Sequence, residues 1–508
     1  MMKNLYVGIY CFGHDSNFSI FDITNNTFQY CKLERMNGIK HYDSNSAKEW
    51  AIYLEDMGYN TNQIIEICIV QAAGGFPWFN EVDDKKILEE MFYPIKVNLI
   101  GHHTAHQLST FCENGLVYDG EGSDNESLTI VNDKKESLKF CNINHLSMGG
   151  LYMNEYFNVD NYYDTTLKKM GWKERHQVAC DFAGKVMAWE AFGLRSSEWQ
   201  ERFRDTPLRN FNYKQGYDLF EARHQDDFHM RASFIKNVTE KYANDLIKHL
   251  KDFFEFNTHF TYSGGTAQNL ILNNYFKSNF PNIQIVPHCN DDGLSIGALY
   301  YLLKKQGLEK EFKINNFPFC QSDEDMNFAS IGTIKKVAEH LANGKIVFWG
   351  QGHGEIGPRA LGHRSILMNP AIKDAKDQIN NKIKKREWYR PYGASVLVDD
   401  YKEHFEIAWE SPYMNYQANV KNKEDFTSIC HVDGTSRIQT VNQNQESFYE
   451  LLQEFKKLTG FSILLNTSCN LPGSPIVGST DQITNMFKKC HADCLVIGDQ
   501  VYERKQND

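Results

Sequence analysis

Twice in the last third of the chain an amphipathic stretch runs into a short, apolar one. TIKKVAEHLANGK (333–345) leads into IVFWGQG, and SFYELLQEFKKLTG (447–460) leads into FSILLNTSCN. A 3.6-residue period giving way to a strand-length apolar run is the signature of α/β architecture, and residues 331–508 read that way. The first part of the chain adds more elements of both kinds. NLYVGIYCFGHDSNFSIFDI reads as strand, turn, strand, and Ile64–Val70 and Lys96–Ile100 read as strands. Helical periodicity runs from Glu174 to about Gly193 and from Arg231 to Phe254. Between these regions, residues 306–330 lose periodicity and carry mixed charge, and 316–330 are read as an interdomain linker. With 508 residues, too many for one ordinary core, the reading is a domain over 1–315, a linker, and a second domain over 331–508.

The formal net charge of -11 argues against generic coating of nucleic acid. No apolar run is long enough to span a membrane, and the N-terminal apolar stretch ends in Gly13, His14 and Asp15 rather than at a cleavage site. A cytoplasmic location is expected. The twelve cysteines include no CxxC; CHADC (490–494) is the nearest to a metal motif and reads as buried thiols.

Four polar stretches of the first domain belong together. GHHTAHQLSTF places His102 and His106 four residues apart, on one face of a helix, as two ligands of one ion require. No HExxH glutamate accompanies them, so a zinc-protease reading fails. LVYDGEGSD leads from a strand into a turn through Asp119, Gly120 and Gly122. SGGTAQN contributes Gly264, Gly265 and Asn269, where glycines let a backbone approach a nucleotide, and NDDGLSIG puts Asp291 at a helix start. Each alone is an ordinary loop; together they outline a nucleotide-plus-metal site. Two imidazoles with carboxylates suit Fe(II), Mn(II) or Zn(II). His14, in the turn GHDS, is the candidate general base, its reference pKa of about 6.5 suiting it to take a hydroxyl proton.

A second set lies near the C-terminus. GEIGPRALGHRSIL, INNKIKKREWYRPYGASVL, HVDGTSRIQTV and LLNTSCNLPGSPIV bring Arg359, Arg364, Lys384, Arg386, Arg390 and Arg437 into turns beside short strands. Guanidinium forks pair bidentately with phosphate or carboxylate. Asn466 and Ser468, following an apolar run, are placed to bond a carbamoyl or ribose group.

These C-terminal motifs closely resemble the NodU/CmcH-type O-carbamoyltransferases, which include the tobramycin O-carbamoyltransferase; the first set resembles the threonylcarbamoyl-transferase branch of the actin-like ATPases. The resemblance runs from GHDSN to LVIGDQVY, with departures: IGPRALG for FGPRALG, LNTSCN for LNTSFN, and GGTAQNL for GGVALNC. It implies an N-terminal actin-like domain and a C-terminal YrdC-like α/β domain. The second would form carbamoyl-adenylate from ATP, with its Mg, and carbamoyl phosphate; the first would pass the carbamoyl group to an acceptor hydroxyl. It further implies His102, His106 and Asp291 as metal ligands with Asp119 beside them, iron as Fe(II), and Lys40 as an acceptor-side group.

The acceptor stays open between a hydroxyl-bearing small molecule and a hydroxymethyl-pyrimidine in DNA. RSSEWQERFRDTPLRNFNYK, Arg195–Lys214, interleaves basic and aromatic residues as a single nucleic-acid strand requires, and reads equally as an amphipathic helix and loop paired with its own acids. No membrane partner is expected, and a homodimer stays open. An actin-like ATPase or kinase and a non-catalytic nucleotide-binding regulator are the readings from other classes.

Overall fold

The structure, a computed structural model, describes residues 3–11, 13–44, 49–71, 89–90, 92–120, 126–141, 148, 152, 167–171, 178–197, 201 and 227–505. They form two compact units. The first comprises Met1–Glu34 with His41–Asn315, and the second comprises Arg35–Lys40 with Asn316–Asp508. The short segment 35–40 therefore packs with the second unit although its flanks pack in the first. Residues 316–330 are built into the second unit: Gln321 and Met326 are buried, and Asp323 accepts from the Arg364 guanidinium at 3.4 Å.

The first unit contains two mixed sheets of five strands. One comprises β1 (Leu5–Tyr10), β2 (Asn17–Asp22), β3 (Thr27–Lys32), β4 (Ile64–Val70) and β5 (Lys96–Ile100), in the order β3-β2-β1-β4-β5. The first three are antiparallel neighbours, and β4 and β5 continue parallel to β1. The other comprises β6 (Gly115–Tyr118), β7 (Glu126–Val131), β8 (Ser137–Cys141), β9 (Phe260–Ser263) and β10 (Ile283–Gln284). Read from β8 its order is β8-β7-β6-β9-β10, with the same directions, so one strand plan occurs twice.

Two helices of this unit bear on the site, α1 (His102–Leu108) and α4 (Leu294–Gln306); between them in the chain come the long helix α2 (Phe228–Phe253) and α3 (Leu270–Asn279). The α4 face Leu294, Ala298, Leu299, Leu302 packs with Tyr6 and Tyr10 of β1 and Ala105 of α1. That contact has no room for a side chain. A Cβ on Gly297 would lie 1.9 Å from the Ala105 carbonyl oxygen. Of the expected helix over 174–193, the described residues are helical at 178–179, turn at 180–181, and are then α-helical over Phe182–Met187 and 3-10 over Ala188–Phe192.

The second unit is one nine-stranded mixed sheet. Its strands are β11 (Val347–Gly350), β12 (Arg364–Met368), β13 (Gly393–Leu397), β14 (Phe405–Glu406), β15 (Tyr416–Val420), β16 (Thr435–Val441), β17 (Ile463–Ser468), β18 (Cys494–Ile497) and β19 (Gln500–Glu503). The order is β14-β15-β16-β13-β17-β12-β11-β18-β19. Alternate residues serve opposite faces. Val347 and Trp349 join Leu367, Leu464 and the helices α5 (Ile331–Ala342) and α7 (Glu446–Thr459). Phe348 joins Ile366, Ile463, Leu465 and the helices α6 (Ala375–Ile379) and α8 (Thr480–Lys489). Burial on both faces is why these strands read as unbroken apolar runs. Among the described residues no helix is long and apolar enough to cross a membrane.

Candidate functional site

In the first unit, α1 projects two imidazoles to one side, as its i, i+4 spacing demands. His102 Nε2 lies 2.9 Å and His106 Nε2 3.3 Å from Asp119 Oδ2, at the end of β6. Asp291, preceding α4, brings its Oδ1 to 3.6 and 3.5 Å of the same nitrogens. All four residues are buried, and one donor atom from each lies within 4.8 Å of the other three. The GGT turn holds Asp119 in place: the Gly265 N–H donates to its Oδ1 at 2.8 Å. Gly264, at φ 95°, lies where a Cβ would be 2.3 Å from the Tyr118 carbonyl oxygen. Tyr10 at the end of β1 donates to Asp291 Oδ2 at 2.9 Å.

The electrostatics of the quartet are compatible with a cation. Burial opposes charge on His102, yet Asp291 and Asp119 outweigh it and push its pKa up to about 10. Burial likewise opposes charge on the carboxyls of Asp119 and Asp291, but the neighbouring histidines hold both well below the usual range. Two carboxylates around two imidazoles fit a divalent first-row ion held by nitrogen and oxygen donors. Four buried donors on rigid elements satisfy that requirement without rearrangement of the fold.

His14 stands beside the quartet. Its Nε2 lies 3.7 Å from Asp291 Oδ2, and its Nδ1 lies 2.7 Å from Asp15 Oδ2. Burial works against its proton, but Asp291 and Asp15 raise its pKa to about 9. Asp291 is itself in the quartet, so a cation there removes the leading support for that proton. Behind His14, Lys32 is buried among three acids, at 2.7 Å from Asp15, 3.1 Å from Glu34 and 2.6 Å from Asp292. This lysine carried no sequence signal: it ends a strand, and its partners lie up to 260 positions away.

The other residues expected near a nucleotide here separate. Asn269 is a helix cap, its Oδ1 accepting from the N–H groups of Ile271 and Leu272 and its Nδ2 reaching Tyr152. Gly120 follows Asp119 in a bend with open space around it. Gly122 and most of Arg195–Lys214 lie outside the described residues. Arg195 itself pairs with Glu240 at 3.1 Å. Lys40, expected as an acceptor-side group, packs in the second unit and bears electrostatically on Lys384.

The second unit brings together most of the basic residues expected to form an anion pocket. A short π-helix, Asn380–Lys384, ends in Lys385 at φ 45°. It carries Lys384 into four contacts at the end of β17: the Ser468 carbonyl at 2.5 Å and Oγ at 3.4 Å, and the Asn470 carbonyl at 2.9 Å and Oδ1 at 2.6 Å. Asn470 was not among the expected residues. Its signal was its position two residues after Ser468, and Ser468 Oγ donates to its Oδ1 at 2.7 Å. Arg386 donates to Thr467 Oγ1 at 3.2 Å and lies 5.0 Å over the Tyr392 ring. Burial, then Arg359, Arg386 and Arg390, push the Arg437 guanidinium well below its usual range. Burial and Arg390 push Arg386 down to about 10. Arg390 pairs with Glu387 at 3.3 Å.

Two expected members do not face this pocket. Arg364 is fully buried and donates to the carbonyls of Gln351, Glu324 and Gly352 at 2.5, 2.8 and 2.9 Å. It is a structural arginine, because β12 turns it inward. The preceding loop folds around an internal anion: Glu355 Oε1 accepts from the N–H groups of Leu361, His363 and Arg364 at 2.7, 2.8 and 3.1 Å. Of the two arginines in GPRALGHR, only Arg359 bears on the cluster. Asn466 is also buried, its Nδ2 2.9 Å from Ser395 Oγ and 3.3 Å from both the Ala360 carbonyl and Gln439 Oε1.

Residues 338–504 match the family described as Carbamoyltransferase C-terminus. Nodulation protein NolNO of Sinorhizobium fredii is 29% identical over 448 residues, 81% of this chain and 65% of that protein. The 3'-hydroxymethylcephem-O-carbamoyltransferase of Streptomyces clavuligerus is 27% identical over 364 residues, 67% of this chain and 68% of its own. Nodulation protein U of Sinorhizobium fredii is 34% identical over 220 residues, 42% of this chain and 39% of its own. The chain thus spans under two thirds of both nodulation proteins. Residues 338–504 thus match a carbamoyltransferase C-terminus, and the chain is similar to relatives of both the nodulation and the cephem-carbamoylating kind, the NodU/CmcH-type carbamoyltransferases.

Proposed function

We propose that the protein is an ATP-dependent O-carbamoyltransferase acting in the cytoplasm, with adenylate chemistry in the second unit and transfer in the first. The observation that carries this reading is the crowding of Arg359, Arg386, Arg390 and Arg437, with an oxygen-clamped Lys384 beside Arg386 and Arg390. Buried like charges that depress one another are stabilised when a polyanion joins them, which suits ATP and carbamoyl phosphate. There carbamoyl phosphate and water give carbamate and phosphate. A carbamate oxygen attacks the α-phosphorus of MgATP, pyrophosphate leaves, and carbamoyl-adenylate remains. The guanidinium groups hold the phosphates and neutralise charge on the departing pyrophosphate.

Transfer falls to the first unit. His14 takes the acceptor hydroxyl proton at one ring nitrogen, while Asp15 fixes the ring through the other. The acceptor oxygen attacks the carbamoyl carbon, and AMP leaves with the P–O bond intact. His102, His106, Asp119 and Asp291 would hold the metal, Fe(II) by family resemblance, which supplies Lewis-acid stabilisation of phosphate charge. Tyr10 and Gly265 orient the two carboxylates. The repeated strand order of the first unit supports an actin-like reading, and the covered mixed sheet with its basic pocket supports a YrdC-like reading of the second.

The acceptor class is a hydroxyl-bearing small molecule or a hydroxymethyl base. Mass spectrometry on panels of both, with ATP and carbamoyl phosphate supplied, tests it. A product heavier by one carbamoyl group in place of hydrogen is expected; phosphorylated product with ADP would contradict the reading.

A further inference from the structure

A second set of metal-capable side chains lies in the first unit. His14, His41 and Cys180 each offer a donor atom, all within 4.8 Å of one another. They come from the β1–β2 turn, from the return of the chain into the first unit, and from the turn before the helix Phe182–Met187. None belongs to the quartet of His102, His106, Asp119 and Asp291.

One carboxylate backs both imidazoles. Asp15 Oδ2 lies 2.7 Å from His14 Nδ1, and both Asp15 oxygens lie 3.1 Å from His41 Nδ1. The Lys32 ammonium, 2.7 Å from Asp15 Oδ1, keeps that carboxylate in place. A carboxylate accepting from Nδ1–H fixes the tautomer and orients Nε2 as the ligand atom, the outer-shell arrangement of histidine–metal sites. Here it serves two histidines at once, and the third donor is a sulfur. Asp181 Oδ1, 3.5 Å from His41 Nε2, adds an oxygen on the same side.

We infer that His14, His41 and Cys180, with Asp181 beside them, form a second metal site for a thiophilic divalent ion of the zinc type. Sulfur with two imidazoles selects such an ion over Mg or Ca. Two ligand atoms of one tetrahedral zinc lie about 3.3–3.6 Å apart, so a small contraction of the cluster closes the site. On binding, the Cys180 thiol proton passes to solvent and both histidines bind as neutral imidazoles. One consequence rests on the function proposed above. The ion would occupy the His14 imidazole and stop transfer, while adenylate formation in the second unit continues.

The test uses the full chain stripped of metal and titrated with Co(II). A sulfur-to-cobalt charge-transfer band in the near ultraviolet is expected. It should disappear in Cys180→Ser and persist in His102→Ala, and Zn(II) should erase it. Zinc affinity should fall about 100-fold in Cys180→Ser and in His41→Ala, which serves where the cysteine variant folds poorly. Absence of the band in the unsubstituted chain, or an equal band in Cys180→Ser from another of the twelve cysteines, overturns the site. The band needs no turnover. A chain that shows it but makes no carbamoyl-adenylate would refute the proposed function and leave the site standing.

Discussion

Lys384 has four oxygen contacts, two of them from Asn470, and nearby cations oppose its charge. Burial, then Arg386, hold its ammonium well below the usual lysine range. Asn470→Ala should therefore lower pyrophosphate formation by about 100-fold, the order of loss for one preorganised polar group, with the melting temperature little changed. Unchanged turnover would mean that Lys384 is held by the Ser468 and backbone oxygens alone. Asp400 tests a purely structural carboxylate. Burial disfavours its charge, but Lys456 at 2.8 and 2.9 Å and Ser462 at 2.6 Å hold its carboxyl below the usual range. Its stabilisation is present above the unfolded pKa of about 3.9 and is lost as pH falls through the folded value. Asp400→Asn should cost about 1–3 kcal/mol at neutral pH and progressively less in acid, read from melting curves; a cost independent of pH would contradict this. Residue identity was legible where chemistry and spacing coincide, as for His102 and His106. It was not legible where one residue type serves two purposes. Arg359 and Arg364 look alike in GPRALGHR, but the strand direction at Arg364 turns its guanidinium onto backbone carbonyls.

The elements that carry the site are short and tightly apposed. The histidine helix α1 and the helix α4 that follows Asp291 meet at Gly297, where a methyl group would strike the Ala105 carbonyl. Gly297→Ala should cost about 1–3 kcal/mol, the usual penalty of overpacking, and weaken metal retention because His102 and His106 ride on α1 and Asp291 leads into α4. Calorimetry with metal analysis of the purified variant would show both; full stability with full metal content would mean the helices can separate freely. Strands β1, β2, β4 and β5 were readable from apolar runs between polar turns, as was the helix–strand alternation of the second unit. The repeated strand order was not. Strands β6 to β10 share topology with β1 to β5 without sharing sequence, and strand partners 146 residues apart leave no local pattern. Asn269 misled for a related reason: a helix cap and a nucleotide contact need the same side chain after the same glycine turn.

At the scale of the molecule, two polar constellations stand in two separately cored units of one acidic chain. The charge arrangement supports the proposed division of labour: carboxylates and imidazoles in the first unit suit a cation, and crowded guanidinium groups in the second suit phosphates. Stripping the metal with a chelator should therefore abolish carbamoyl transfer and spare adenylate formation, with metal content followed by mass spectrometry; loss of both together would mean that one site serves both steps. The boundary near residue 315 was legible as a loss of periodicity, but the excursion of Arg35–Lys40 into the second unit was not. It depends on contacts such as Arg35 to the Gly357 carbonyl at 3.1 Å, between residues 322 positions apart. The most direct test of the account needs no acceptor: the nucleotide products formed from ATP with and without carbamoyl phosphate, in the unsubstituted chain, Arg437→Ala and His102→Ala. Carbamoyl-adenylate and pyrophosphate should form only with carbamoyl phosphate, persist in His102→Ala and vanish in Arg437→Ala. ADP as the product, or undiminished adenylate in Arg437→Ala, would contradict it.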